Sequence, residues 1–115
     1  MAQYLMLIYE DEARWAEAAP ETAEQVMKQH EQFVATHKPV LRGGHALQPT
    51  STATSLRRER SGGLAITDGA FVETKEAVGG YYVVEAADLD EAMAVAKDIP
   101  APFGGVEIRP VRESS

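Results

Sequence analysis

His30 is the side chain of this 115-residue sequence best placed to move a proton at neutral pH. It lies in the middle of an apolar stripe at three- and four-residue spacing, formed by Ala23, Val26, Met27, His30, Phe33, Val34 and His37. An imidazole on such a stripe points toward the body of the protein, and a group that titrates near neutrality can serve as general acid or base. A core histidine satisfied by a carbonyl or carboxylate has the same signature, and in either case a buried ring needs a polar partner. Asp68 is the candidate partner. It closes an apolar stretch at the head of "TDGAFVETKE". Asp-Gly is also a common turn signal. However, the connection from Asp68 to the next apolar segment is longer than a hairpin requires, and a loop of that kind can close over a cavity. Phe71 would plug it, and Glu73, Lys75 and Glu76 would either line it or face solvent. A His30–Asp68 pair with no nucleophile or cofactor suits lyase, isomerase or dehydrohalogenase chemistry on a small organic molecule.

The other polar candidates point to less. His37 ends the stripe, where a cation meets the negative end of a helix dipole. His45 follows Gly43-Gly44 in a strand-like segment. Positions 30, 37 and 45 have none of the usual metal-ligand spacings, so neither metal nor cofactor is expected. Arg42 and Arg109 would grip an anionic substrate only if turned inward, and strand arginines usually face solvent. The run "RRER" at 57–60 is a mixed-charge hairpin end and not a nucleic-acid patch. The glycine pairs match neither a phosphate loop nor a dinucleotide fingerprint.

Composition narrows the class further. The net charge of −7 argues against a phosphate-backbone reader and against a polybasic membrane anchor. With no cysteine, disulfides, thiolate nucleophiles and cysteine zinc sites are excluded. No apolar run has the length of a membrane span, and the start lacks the basic region of a secretory signal. A single domain over 1–115, soluble and cytoplasmic, is the expectation, with no direct nucleic-acid or membrane partner.

The elements that must position these residues follow from periodicity. Residues 3–9, "QYLMLIY", are apolar on both alternating faces and read as a central strand. The acidic segment "EDEARWAEAA" is a loop or short helix. Pro20 opens a helix that runs to about His37 and stops before Pro39. Residues 40–47 form a strand interrupted by Gly43-Gly44, which suggests a bulge or a close backbone approach. Residues 52–59 and 63–67 pair as a hairpin across "RSGG". Residues 79–86 form another strand that is bulky on both faces. A second helix follows "DLDEAMAVAKDI", with Asp88 as N-cap and Glu91 three residues on; Leu89, Ala92, Met93, Ala96 and Ile99 form its stripe. Residues 106–111 give the last strand. Without the inserted β-hairpin the order is βαββαβ, an α+β, ferredoxin-like plan with both helices on one sheet face. The other face is also apolar and no third helix remains to cover it, so a homodimer packed sheet to sheet is expected.

Together these segments resemble the YCII-related family, and within it the DGPF-domain branch. The resemblance covers nearly the whole chain, through "YLMLIYEDEARW", "MKQHEQFV", "LRGGHALQPTSTATSLR", "TDGAFVETKEAVGGYYVVE", "DLDEAMAVAKDIP" and "VEIRPV". The branch's motif proline is Ala70 here, which removes a fixed φ and returns a backbone N–H to the turn. The resemblance implies a dimeric α/β-barrel-type protein with a His-Asp pair proposed as active site. His30 matches the histidine. Asp68 is the first choice for the aspartate, and Asp98, near Pro100, is the second. The resemblance also implies small-molecule chemistry, with a dehydrochlorinase among the relatives. The alternative is a ligand-sensing or protein-binding module associated with sigma factors in transcription regulation.

Overall fold

The computed structural model describes residues 1–71 and 74–113. Strand β1 (Ala2–Glu10) leads into a short helix α1 (Glu12–Glu17), then the long helix α2 (Pro20–His37) and strand β2 (Leu41–Ala46). Strands β3 (Thr54–Arg58) and β4 (Leu64–Asp68) follow, then β5 (Ala77–Ala86), helix α3 (Leu89–Ala96) and β6 (Gly104–Pro110). The main sheet has the order β2-β5-β1-β6, with every neighbouring pair antiparallel. This mixed α+β arrangement is compatible with a ferredoxin-like fold. β3 and β4 pair only with each other, in a separate two-stranded sheet.

Alternation along β1 sets the layers. Tyr4, Met6 and Ile8 are buried on the helix-facing side, while Leu5, Leu7 and Tyr9 are partly exposed on the other. From β5, Val84 and Ala86 join the buried side. α2 contributes Phe33 to this core, and α3 contributes Ala92, Val95 and Ala96, with Ile99 just beyond it. Phe33, Met6 and Val84 are the largest fully buried side chains. Each stabilises the fold by roughly 1.5–3 kcal/mol through apolar area removed from water.

The termini of the helices are set locally. Asp11 caps α1, its Oδ1 accepting from the N–H groups of Ala13 and Arg14. α2 begins on Pro20, whose missing N–H removes nothing the first turn needs. Asp88 caps α3, accepting from Glu91 N–H at 2.9 Å. Glu91 reaches back to the N–H of Ala87, one residue before the position a standard capping box uses. The α3 stripe is rotated from the one the sequence predicts: Val95 is buried, while Leu89 and Met93 are exposed. Alanines at 92 and 96 let the helix sit close to the sheet, which leaves the longer side chains at its flank. No helix among the described residues is long and apolar enough to cross a membrane.

α1 packs through the sole tryptophan. The Trp15 ring meets Phe103 edge-on at 5.0 Å between centroids, and the Arg14 guanidinium lies over the same phenyl ring. The N–H of Phe103 in turn donates to Glu10 Oε2 at 3.1 Å. The end of β1 is thereby fixed to the segment before β6.

Candidate functional site

α2 covers the sheet incompletely. Val26 and Phe33 are buried, but Met27 is 64% exposed and Val34 38%. The gap between this flank of α2 and the β2-β5 edge of the sheet is a cavity of about 490 Å³. Ile8, Val26, Met27 and Val34 make its wall largely apolar, and Glu10, His30 and Tyr82 bring the ionisable side chains on its helix side.

His30 Nδ1 is 2.8 Å from the Tyr82 hydroxyl oxygen. Two tautomers satisfy that contact. In one, the phenol O–H donates to a bare Nδ1 and Nε2 carries the proton. In the other, Nδ1–H donates to the phenol oxygen and Nε2 keeps its lone pair. Nε2 has no protein partner among the described residues. Burial lowers the His30 pKa from its ordinary 6.5, and the nearby Glu10 carboxylate pulls it back up. Burial also raises the Tyr82 pKa above 10.0. At neutral pH the pair is therefore a neutral imidazole and a neutral phenol, with an acid beside them that favours imidazolium when it forms.

Tyr82 is held in place from three sides. Its ring packs on Phe33 at 4.7 Å between centroids and lies 5.8 Å from the His30 ring. Across the strand pair it faces Gly44. A Cβ at Gly44 would fall 2.6 Å from the Tyr82 ring and 2.8 Å from the Tyr81 carbonyl oxygen, so only glycine leaves the ring its place. The bulge the sequence suggests is present: the β2-β5 register shifts between Leu41 and Gly43.

The structure distributes the other residues singled out from sequence. Asp68 ends β4 and lines a separate concavity with Thr50, Ser51, Gly69 and Thr74. Its neighbour Gly69 has φ +97°, the left-handed backbone that the Asp-Gly turn requires. Asp68 is not brought to the His30 cavity, and the imidazole's hydrogen bond goes to Tyr82. Asp98 accepts from a different histidine: its Oδ2 lies 2.7 Å from His37 Nε2, joining the end of α2 to the segment after α3. His45 does border the His30 cavity, where it packs against Tyr81 at 5.9 Å between ring centroids. Arg42 is neutralised by Glu85 at 2.6 Å and Arg109 by Glu107 at 2.8 Å, so neither is free to grip an anion. Lys75 and Glu76 precede β5 on the surface, Phe71 is exposed under the Arg57 guanidinium, and Glu73 lies outside the described residues.

Two residues of the cavity, Glu10 and Tyr82, are not singled out by the sequence alone. Glu10 continues the inward row Tyr4, Met6, Ile8, and Tyr82 shares its row with Val84. A carboxylate and a phenol at the ends of buried alternating rows were the available signal.

A comparison with family models matches residues 2–115 to the YCII-related domain. The chain belongs to the YCII-related family. An uncharacterised protein of Rhizobium meliloti (strain 1021) is 35% identical over 117 residues, which covers 94% of this chain and 90% of that protein. Membership in the YCII-related family accounts for the matched span without assigning chemistry to the cavity.

Proposed function

We propose that the chain is a small-molecule enzyme of the YCII-related family in which His30 transfers a proton on a mainly apolar organic substrate. The observation that carries this reading is the imidazole fixed to the Tyr82 hydroxyl at the wall of an apolar cavity of about 490 Å³. In the tautomer with Nδ1–H donating to Tyr82, Nε2 takes a proton from a carbon next to an electron-withdrawing group. Glu10 stabilises the imidazolium that results. The proton then returns to another carbon in an isomerisation. In an elimination the electron pair expels a leaving group and the proton passes to solvent. Tyr82 orients the ring and fixes its tautomer, the role expected of Asp68 from sequence.

The finer features of the proposal rest on particular segments. The segments "TDGAFVETKE" and "GGYY" support placement in the DGPF-domain branch, and β3–β4 is read as a hairpin inserted into the ferredoxin-like plan. Leu5, Leu7, Tyr9 and Val83 leave apolar surface on the sheet face away from the helices, which supports a homodimer of the α/β-barrel type.

The test is a screen of small carbonyl and halogenated compounds by thermal shift, followed by NMR in D2O. Wild type should bind at least one compound and exchange a carbon-bound proton for deuterium. His30→Gln should lose the exchange, and Tyr82→Phe should slow it. Hits shared equally by wild type and His30→Gln, with no exchange in either, remove proton transfer from His30. Hits lost in His30→Gln but without exchange in wild type support the ligand-sensing alternative.

A further inference from the structure

The β3–β4 hairpin packs almost wholly on itself. In register, Thr54 faces Asp68, Leu56 faces Ile66 and Arg58 faces Leu64, so these six side chains share one face. The apolar members of that face are open to solvent: Leu56 is 52% exposed, Leu64 49% and Ile66 66%. A lone two-stranded hairpin is marginal in water, and one with leucine and isoleucine uncovered is more so. The molecule is also extended for its length. Its radius of gyration is 16.3 Å, against about 13 Å for a compact chain of this size. The hairpin tip carries Arg57, Arg58 and Arg60 against Glu59, on a chain whose net charge is −7.

We infer that this hairpin is an arm that docks on a second copy of the chain. The open apolar face supplies the contact, and the arginine tip is complementary to the acidic body of the other copy. The base of the arm is stiffened so that it moves as one piece. Gly69 N–H donates to the Ala53 carbonyl at 2.7 Å, and Ser55 Oγ donates to the Gly69 carbonyl at 2.6 Å. Asp68 lies on the docking face next to that clamp, so the arm carries it into the contact between copies. The inference builds on the pairing of two copies proposed above, and its test separates the two.

The absence of cysteine gives a clean probe. Ile66→Cys, labelled with a benzophenone maleimide, is mixed as ¹⁵N- and ¹⁴N-chains, and cross-linked peptides are read by mass spectrometry. Cross-links that join the two isotopes are expected; cross-links confined to one chain overturn the arm. In parallel, sedimentation of wild type and of a Leu56→Glu, Ile66→Glu variant is compared, with far-UV circular dichroism as the folding control. The variant should raise the dimer dissociation constant by about tenfold or more, from the lost burial of two aliphatic side chains. A folded variant that dimerises as tightly as wild type overturns the arm while keeping the pairing. A monomeric wild type overturns both.

Discussion

Gly43 and Gly44 are adjacent, yet alanine at the two positions should have opposite effects. A Cβ at Gly43 meets nothing within 4 Å. Its backbone is not in the left-handed region, so Gly43→Ala should stabilise by about 0.4–1 kcal/mol, through the unfolded chain. A Cβ at Gly44 would stand 2.6 Å from the Tyr82 ring, and reaching ordinary contact at 3.4 Å requires a shift of about 0.8 Å. The Tyr81 carbonyl at 2.8 Å blocks relief on the backbone side. Overpacking of this kind costs about 1–3 kcal/mol. A ring displacement of about 0.8 Å is enough to take the 2.8 Å contact with His30 to about 3.6 Å, outside hydrogen-bond range. The two single variants should therefore differ by roughly 1.5–4 kcal/mol in urea unfolding, and only Gly44→Ala should move the His30 imidazole resonances. If Gly44→Ala unfolds at the same urea concentration as Gly43→Ala and leaves those resonances in place, the packing account of Tyr82 is wrong.

Two other perturbations probe the polar network. Because burial lowers the His30 pKa, the folded state holds the ring neutral at pH values where the unfolded chain protonates it. The stability from this group is complete above 6.5 and is lost as the pH falls through the folded value. Urea midpoints should fall from about pH 7.5 to about pH 5.5; His30→Gln should flatten part of that slope and Glu10→Gln should steepen it. An unchanged slope in His30→Gln would exclude this linkage. Asp98→Asn weakens the contact with His37 at an exposed carboxylate, so it should cost less than about 1 kcal/mol and leave ligand shifts at the His30 cavity intact. Loss of those shifts would return Asp98 to the binding site.

The helix that carries His30 was legible because its signals are local. Pro20 and Lys38-Pro39 bound it, and the 3.6-residue period puts His30 on the inner stripe. The partner of His30 was not legible, because it depends on pairing between segments distant in sequence. Tyr82 reaches the imidazole from 52 residues away, through the register of β5 with β1 and β2. Both of those registers contain a bulge, at Ile8/Tyr9 and at Leu41/Gly43, which strand alternation alone does not locate. The apparent two-sided hydrophobicity of "GGYYVVE" also hid which of Tyr81 and Tyr82 faces the helices. Asp98 met a histidine of the same stripe, but two turns further along α2, where the helix end lies beside the segment after α3.

The contact between Trp15 and Phe103 has an optical consequence. The chain has one tryptophan, so its indole emission arises from a single place. Trp15 leans on the ring of Phe103, whose backbone N–H holds Glu10, and Glu10 borders the cavity that His30 lines. The native sequence thus carries a fluorophore two contacts from Glu10 at the cavity border, able to report on cavity occupancy without a label.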